Sequence, residues 1–257
     1  MSNSALHFYA ALAAAAAVVG GAGTFALVSR GGGHDAGNCL VDGPAPAHTL
    51  LLVDTTDPAT VTEAQRLVQT ADTAAADLPR YGRMTVMLVR PEAPWEPQQI
   101  VSLCSPGRGS AVNPLTETPE LVEAAWRRDF VARLRTAAER LTTLPKSEES
   151  PLLQSAAAVA GRRDFAPGQP RRTLIFFTDG LQHAIGGYSH YTAADPKAAY
   201  QHSPLASELD PDFGGATVEI EYLRRPGGAL YQGVRHKAFW RWWFTSHGAR
   251  AVRFHDS

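Results

Sequence analysis

The sequence has little net charge, few cysteines and none of the common catalytic loop motifs. Its 257 residues contain 24 Lys and Arg against 25 Asp and Glu, which gives a formal net charge of -1 at pH 7. A nucleic-acid-binding protein normally carries a strongly basic surface, so we expect no nucleic-acid partner. Two cysteines, Cys39 and Cys104, allow either one disulfide or two free thiols.

Two catalytic signatures are missing from the sequence. It has no Gly-x-Ser-x-Gly segment, which marks the nucleophile of many hydrolases, and its nearest approach, Gly107-Arg108-Gly109-Ser110, follows no buried parallel strand. It also lacks the Gly-x-x-x-x-Gly-Lys loop that holds nucleotide phosphates. We therefore expect a binding protein and no enzyme.

One long hydrophobic run lies near the N-terminus. Residues 8–28 contain no charged side chain and are long enough to span a bilayer as a helix. They predict a single-pass anchor in the inner membrane; a cleaved secretory signal is the alternative, although the usual basic start is missing. We expect residues 1–30 to form the anchor, 31–48 a flexible linker rich in Gly, Pro and Ala, and 49–257 one folded domain.

Two features of the sequence favour opposite sides of the membrane for the folded domain. Arg30 follows the hydrophobic run and, by the positive-inside rule, places the domain in the cytoplasm. Cys39 precedes the first predicted strand and Cys104 ends a strand running the opposite way, so both are expected at the same edge of the sheet. Because a disulfide there needs an oxidising compartment, the pair favours the periplasmic side.

From residue 49 onward, short apolar runs alternate with helical patterns. Strands are predicted at 49–54, 84–89, 100–104, 173–179, 216–223 and 251–254. Helices are predicted from Thr60, which has capping-box spacing to Glu63, and at 118–141, 151–161, 195–200 and 230–247. The remainder of 183–211 is predicted to be a long surface loop.

This alternation predicts an α/β fold. Parallel strands joined by helices form a doubly wound sheet with helices on both faces. The strands at 84–89 and 100–104 are too close for a crossover helix, so we expect one antiparallel edge strand. In such sheets the functional crevice lies at the carboxyl ends of the strands.

Two predicted strands end in an acid at that crevice. The segments are Asp54-Thr55-Thr56-Asp57-Pro58 and Thr178-Asp179-Gly180. They resemble the metal-ion-dependent adhesion site of the von Willebrand factor type A family, which combines Asp-x-Ser-x-Ser, a Thr from a middle loop and a later Thr-Asp-Gly. The similarity extends over the order of elements after the linker. It implies a Rossmann-like sheet and a bound divalent cation.

The resemblance implies that Asp54, Thr56 and Asp179 are metal ligands for Mg²⁺ or another divalent cation. Pro58 departs from the family pattern because proline has no side-chain oxygen, and Asp57 can compensate only through a water. The middle-loop ligand is open among Asn113, Thr116 and Ser150, the last of which also suits a helix cap. Without a cation, Asp54 and Asp179 would only cap loops.

The function implied is a membrane-anchored module that binds a protein partner through the cation. Residues 178–191 are also similar to a stretch of bacterial proteins of this fold, which favours a place in a larger membrane complex. Two alternatives stay open: a phosphatase or phosphotransferase using Asp54 as nucleophile, although Thr56 stands where such enzymes have their general acid, and a purely structural subunit with an inactive ion site.

Two further clusters have ordinary explanations. His183, His190 and His202 suggest zinc, but their spacing matches no recurring ligand pattern, and a solvated loop is the favoured interpretation. Residues 239–244 contain five aromatic side chains, which we expect mostly to bury against the sheet, with the rest forming a patch for a partner or the membrane interface.

Overall fold

A single six-stranded sheet organises the chain. The computed structural model describes residues 33–143 and 147–256. The strands are β1 His48–Val53, β2 Arg83–Leu88, β3 Gln98–Cys104, β4 Arg172–Thr178, β5 Thr217–Tyr222 and β6 Ala251–Asp256. Their order is β3-β2-β1-β4-β5-β6, and only the β2–β3 pair is antiparallel. The prediction of a mostly parallel sheet with one antiparallel edge strand is confirmed.

Seven α-helices accompany the sheet in the described residues. They are α1 Val61–Asp77, α2 Pro119–Ala125, α3 Ala132–Leu141, α4 Leu152–Ala160, α5 Pro196–Gln201, α6 Leu205–Glu208 and α7 Val234–Ser246. A π-helical turn, Trp126–Val131, joins α2 to α3 into one long helix. Because Trp126 and Phe130 lie in this turn and are both buried, it packs against the sheet.

Both faces of the sheet are covered, which explains why β1 is apolar from Leu50 to Val53. Leu50 and Leu52 belong to a core that includes α4 and α7, whereas Leu51 and Val53 belong to a second core with α1 and α3. Successive strand residues point to opposite faces, so a strand buried on both is apolar along most of its length. The first polar position after β1 is Asp54, at the sheet edge.

The aromatic run in α7 is largely buried, as the packing interpretation predicts. Phe239, Trp240, Trp243 and Phe244 lie in the core, and Trp242 packs partly against it. The start of α7 differs from the prediction, because the helix begins at Val234 and not near residue 230. Gly233 precedes it with φ of 153°, a backbone conformation that interrupts a helix and favours glycine.

The segment 183–211, predicted to be a surface loop apart from one short helix, is exposed over about half of its length but also buries several side chains. Tyr188, His190 and Tyr200 are buried, and α5 and α6 lie within the segment. Asp195 caps α5 as predicted, because its carboxylate accepts hydrogen bonds from two backbone N–H groups. Tyr188 and Tyr200 of the segment pack against Phe239 of α7, so these side chains belong to the core.

Cys39 and Cys104 form a disulfide, with Cα atoms 4.9 Å apart. The bridge attaches the chain ahead of β1 to the end of β3, and the N–H of Cys104 donates to the carbonyl of Gly37 at 2.8 Å. Cys39 is 3 % exposed. The predicted flexible linker is therefore attached to the sheet at Gly37 and Cys39, and its last residue, His48, already belongs to β1.

The predicted membrane anchor, residues 8–28, lies outside the described part of the chain. Within residues 33–143 and 147–256, no helix has the length and apolar character needed to cross a bilayer.

The strand order predicts one binding crevice, at the carboxyl ends of β1 and β4. β1 and β4 are neighbours, and the chain winds outward from this pair in both directions, so the order reverses between them. In open parallel sheets the carboxyl ends of the strands at such a reversal border the usual ligand-binding crevice.

Candidate functional site

The carboxyl ends of β1, β4 and β5 bring three charged side chains to one edge of the sheet. Asp54 follows β1 directly, Asp179 follows β4, and Arg225 stands three residues after β5. The ladder continues past the strand ends, because the N–H of Asp54 donates to the carbonyl of Phe177 at 2.9 Å. The two aspartates predicted from the sequence to meet at this edge do so.

Four hydrogen bonds converge on the carboxylate of Asp54. Its Oδ1 accepts from the N–H and the hydroxyl of Thr56 at 3.0 and 2.7 Å. Its Oδ2 accepts from the hydroxyls of Thr178 and Ser150 at 2.9 and 3.2 Å. Asp54 is 7 % exposed, so these bonds replace the water that the carboxylate loses on burial.

Of the three candidates for the middle-loop ligand, Ser150 is the one that reaches the site. It lies just before α4, and the backbone of Ser147 is held nearby by a 2.8 Å hydrogen bond to the carbonyl of Thr56. Asn113 and Thr116 hydrogen-bond to each other in the loop ahead of α2. Pro58, where the family pattern has its third oxygen, is exposed.

Asp179 is buried with little compensation for its charge. Its Oδ1 accepts one hydrogen bond, from the N–H of Leu181 at 2.8 Å, and the residue is 6 % exposed. Burial, with the nearby negative charge of Asp54, raises the pKa of Asp179 to about 7. At neutral pH this carboxyl group is therefore partly protonated, and a positive charge beside it would favour its ionised form.

Arg225 brings a positive charge close to Asp179. Its Nη1 donates to both carboxylate oxygens of Glu63, at 2.7 and 2.8 Å. Its Nε lies 3.9 Å from one carboxylate oxygen each of Asp57 and Asp179, and this buried Nε has no hydrogen-bond acceptor among the described residues. Arg225 therefore binds Glu63 firmly and the site acids only at long range.

A cavity of about 280 Å³ opens beside Asp179. Its described lining carries the acids Asp57, Glu148, Glu149 and Asp179 and contains no Lys or Arg. Such a wall attracts cations and repels anions.

Carboxylate and hydroxyl oxygens are the donors that hard divalent cations take in proteins, and Mg²⁺ keeps several waters besides. Asp54, Asp179 and the neighbouring hydroxyls fit that chemistry. Among the described residues, no group of three or more His, Cys, Asp or Glu side chains is arranged to hold a metal. A cation at this edge would therefore depend on hydroxyl and water oxygens as well as the two carboxylates.

Nothing among protein-family models or curated proteins matches this chain. Its function is therefore inferred from the arrangement of its residues.

A buried polar cluster contacts the chain just after β4, at the carbonyl of Gly180. The carbonyl of Gly180 accepts a hydrogen bond from Nε1 of Trp240 at 2.9 Å and lies 2.9 Å from Nε2 of His236. Nδ1 of His190 is 2.9 Å from the same Nε2, and the Tyr222 hydroxyl is 2.6 Å from Nδ1 of His236. These contacts fix the direction in which the chain continues after Asp179.

The three histidines that suggested zinc do not come together. His190 is buried beside His236, the ring of His183 contacts Ser189, and the ring of His202 contacts the carbonyl of Ala198. Burial lowers the pKa of His190 well below its usual value and lowers the pKa of His236 to about 4, so both rings are neutral.

Sequence reasoning missed Arg225, Thr178 and the second role of Glu63. Thr178 and Arg225 carry the same signal as the aspartates, because each stands at or just after the carboxyl end of a predicted strand. Glu63 was recognised only as a capping residue, and its ion pair with Arg225 joins positions 162 residues apart.

Proposed function

We propose that this chain is a membrane-anchored binding module in which Asp54, Thr56 and Asp179 hold a divalent cation, with Mg²⁺ as the expected ion. The cation would present one open coordination position to an acidic group on a protein partner. The observation that carries this proposal is the buried pair Asp54 and Asp179, surrounded by hydroxyls and bordered by an acidic cavity.

The sheet order also supports a von Willebrand factor type A-like module. The order β3-β2-β1-β4-β5-β6 with an antiparallel β3 agrees with the Rossmann-like arrangement that the resemblance implies. In this proposal Ser150 takes the place of the middle-loop threonine, because its hydroxyl already contacts Asp54. A bound cation supplies a positive charge that offsets the two buried carboxylates.

The test is a titration of the full chain with Mg²⁺ alone, in non-ionic detergent and after treatment with EDTA, followed by calorimetry and thermal unfolding. We expect binding and a raised melting temperature, both lost in Asp54→Asn and Asp179→Asn. Asp210→Asn, which alters an exposed carboxylate, is the matched control. If wild type binds no divalent cation, the proposal fails.

Partner binding is tested on membranes that contain the full chain. We expect chemical cross-linking to a partner to require Mg²⁺ and to be lost in Asp54→Asn. Cross-linking that is indifferent to EDTA and to this substitution would instead favour the structural-subunit alternative, in which Arg225 already supplies the positive charge near Asp179.

The enzymatic alternative has its own measurement. Release of phosphate from p-nitrophenyl phosphate by wild type, abolished in Asp54→Asn, would favour a phosphatase. We expect no release, because both oxygens of Asp54 are engaged as hydrogen-bond acceptors and the residue is buried.

The disulfide supports a periplasmic location for the domain, since such bridges persist in oxidising compartments. A reporter fused after Ser257 that is active only in the periplasm is the expected result. Activity only in the cytoplasm would contradict it.

A further inference from the structure

A second cavity, of about 730 Å³, opens at the opposite end of the sheet from Asp54 and Asp179. It borders His48 and Arg83, the first residues of β1 and β2. We call it the basic cavity, defined by His48, Arg83, Arg162, Arg163 and Asp164. Six strand residues, about 20 Å, separate it from the acidic site, so the two are distinct.

The basic cavity carries an uncompensated positive charge. Three guanidinium groups stand against the single carboxylate of Asp164. The ring of His48 adds no charge, because burial lowers its pKa, and its nitrogens contact the carbonyl of Asp164 and the hydroxyl of Thr85 at 2.8 and 2.9 Å. Two positive charges are left over.

Asp164 positions two of the arginines without saturating them. Its carboxylate accepts from Nε and Nη2 of Arg162, both at 2.9 Å, and from Nη1 of Arg83 at 3.2 Å. Nε of Arg83 is buried and has no acceptor in the described part of the chain. Arg163 is exposed at the cavity wall. The exposed guanidinium of Arg163 therefore has N–H donors open to a ligand, and Arg83, which is partly exposed, adds a second positive charge beside it.

We propose that the basic cavity binds a phosphate-type oxyanion. Guanidinium groups match tetrahedral oxyanions through paired N–H donors, and partial burial strengthens such bonds. The anion would take the place of a second carboxylate, contacting Arg83 and Arg163 while Asp164 retains Arg162.

The phosphate can come from a lipid headgroup or from solution. Residues 43–45 line the cavity wall, and they follow the hydrophobic residues 8–28 by 15 positions. That length of chain spans at most about 50 Å, so in an anchored domain the cavity lies within that distance of the end of the hydrophobic run. Only the lipid source rests on the proposed anchor; the oxyanion site does not.

The experiment measures modification of arginine side chains by phenylglyoxal, read by peptide mass spectrometry, in the full chain in non-ionic detergent. The samples contain no anion, inorganic phosphate, or micelles doped with phosphatidylglycerol. We expect labelling of Arg163 to slow several-fold, while labelling of Arg133, exposed on α3, is unchanged in the same sample. Protection by phosphate assigns the source to solution, and protection by the lipid alone assigns it to the headgroup. Absent or equal protection at both arginines overturns the proposal.

Variants test which residues strengthen or weaken anion binding. The affinity is measured by calorimetric titration with the anion that protects Arg163. Arg163→Gln should weaken binding about tenfold, and Arg133→Gln should leave it unchanged. Asp164→Asn removes the competing carboxylate and should tighten binding several-fold. Weaker or unchanged binding by folded Asp164→Asn, or full binding by Arg163→Gln, overturns the site; if Asp164→Asn does not fold, Arg163→Gln decides alone.

Because a metal at Asp54 is not needed for this binding, the protection should persist in EDTA and in Asp179→Asn. That result separates failure of the oxyanion site from failure of the proposed cation site.

Discussion

Gly180 determines how the chain leaves the candidate cation site. Its φ is 74°, in the left-handed region that side chains rarely adopt. A Cβ atom here would lie 2.9 Å from both Cε1 of His236 and Nε1 of Trp240. Glycine is needed for two independent reasons, and the position of Asp179, one residue earlier, depends on it.

We expect Gly180→Ala to lower the free energy of unfolding by about 2–3 kcal/mol, because a methyl group must displace buried rings in a strained backbone. Mg²⁺ binding should weaken in the same variant. Gly227→Ala is the control, since a Cβ there meets open space. Thermal unfolding and Mg²⁺ titration check both effects; equal stability of the two variants would contradict the argument.

Burial gives Asp179 and the two histidines opposite effects on stability. The folded protein binds the Asp179 proton up to about pH 7, so stability decreases as pH rises from the ordinary carboxyl range to 7. The folded protein resists protonation of His190 and His236, so their contribution is lost as pH falls below about 6.5. The two effects partly cancel in the wild type.

Asp179→Asn should uncover the histidine contribution. In EDTA we expect this variant to gain stability over wild type at pH 8 and to lose it more steeply between pH 7 and 5, by up to about 1.4 kcal/mol per pH unit for each group. Denaturant unfolding across this range is the measurement. Asp210→Asn serves as control, and parallel curves for wild type and Asp179→Asn would refute the assignment.

Among single residues, the sequence predicted those that stand at strand ends. Asp54 and Asp179 follow apolar runs, so their convergence follows from parallel pairing alone. Arg225 also follows the end of a strand, but its ion pair with Glu63 is one that no local pattern encodes. His236 is similar, because its neighbour His190 lies 46 residues away.

At the scale of elements, the first turn of α1 links local and tertiary interactions. The hydroxyl of Thr60 accepts from the N–H of Glu63 at 3.2 Å, and the Glu63 carboxylate accepts from the N–H of Thr60 at 2.7 Å. The same carboxylate binds Arg225. The helix start thus orients a residue that borders the site.

Thr60→Ala should lower the free energy of unfolding by about 1 kcal/mol, the usual effect of losing an N-cap hydroxyl. Thr62→Ala, at an exposed position in the same helix, should change it little. Chemical denaturation of both variants is the measurement, and a matching loss in Thr62→Ala would show that the cap is not responsible.

The sequence predicted helices and strands where apolar residues recur at a regular spacing, and predicted less where they do not. The capping box of α1 and the proline start of α2 gave both helix starts. Residues 183–211 have no period, yet Tyr188 and His190 are buried because they fill space beside Phe239. The π turn at Trp126–Val131 also left no signal in the sequence, since its apolar spacing matches an ordinary helix.

At the scale of the whole molecule, the disulfide closes a loop of 65 residues that includes β1, α1 and β2. Closing a loop of that size restricts the unfolded chain and stabilises the fold by about 4 kcal/mol. We expect Cys39→Ser with Cys104→Ser to lower the melting temperature markedly. Reduction of the wild type should produce the same shift; no shift on reduction would show that the bridge does not stabilise the domain.

The alternation of apolar runs and helices predicts the parallel sheet, its antiparallel edge strand and the helices that cover both faces. The bridge between Cys39 and Cys104 was left open by the sequence, because pairing depends on how the chain ahead of β1 folds back to β3. The placement of charge at the two ends of the sheet also required the fold, since the basic cavity gathers residues from three separate segments.

The crosslink between Cys39 and Cys104 also decides where mechanical load enters the domain. Tension on the chain ahead of residue 39 passes through the covalent bond to β3, at the border of the sheet. The central strand β1 is shielded from direct traction. A tether attached on that side can therefore be strained without shearing the strand that carries Asp54.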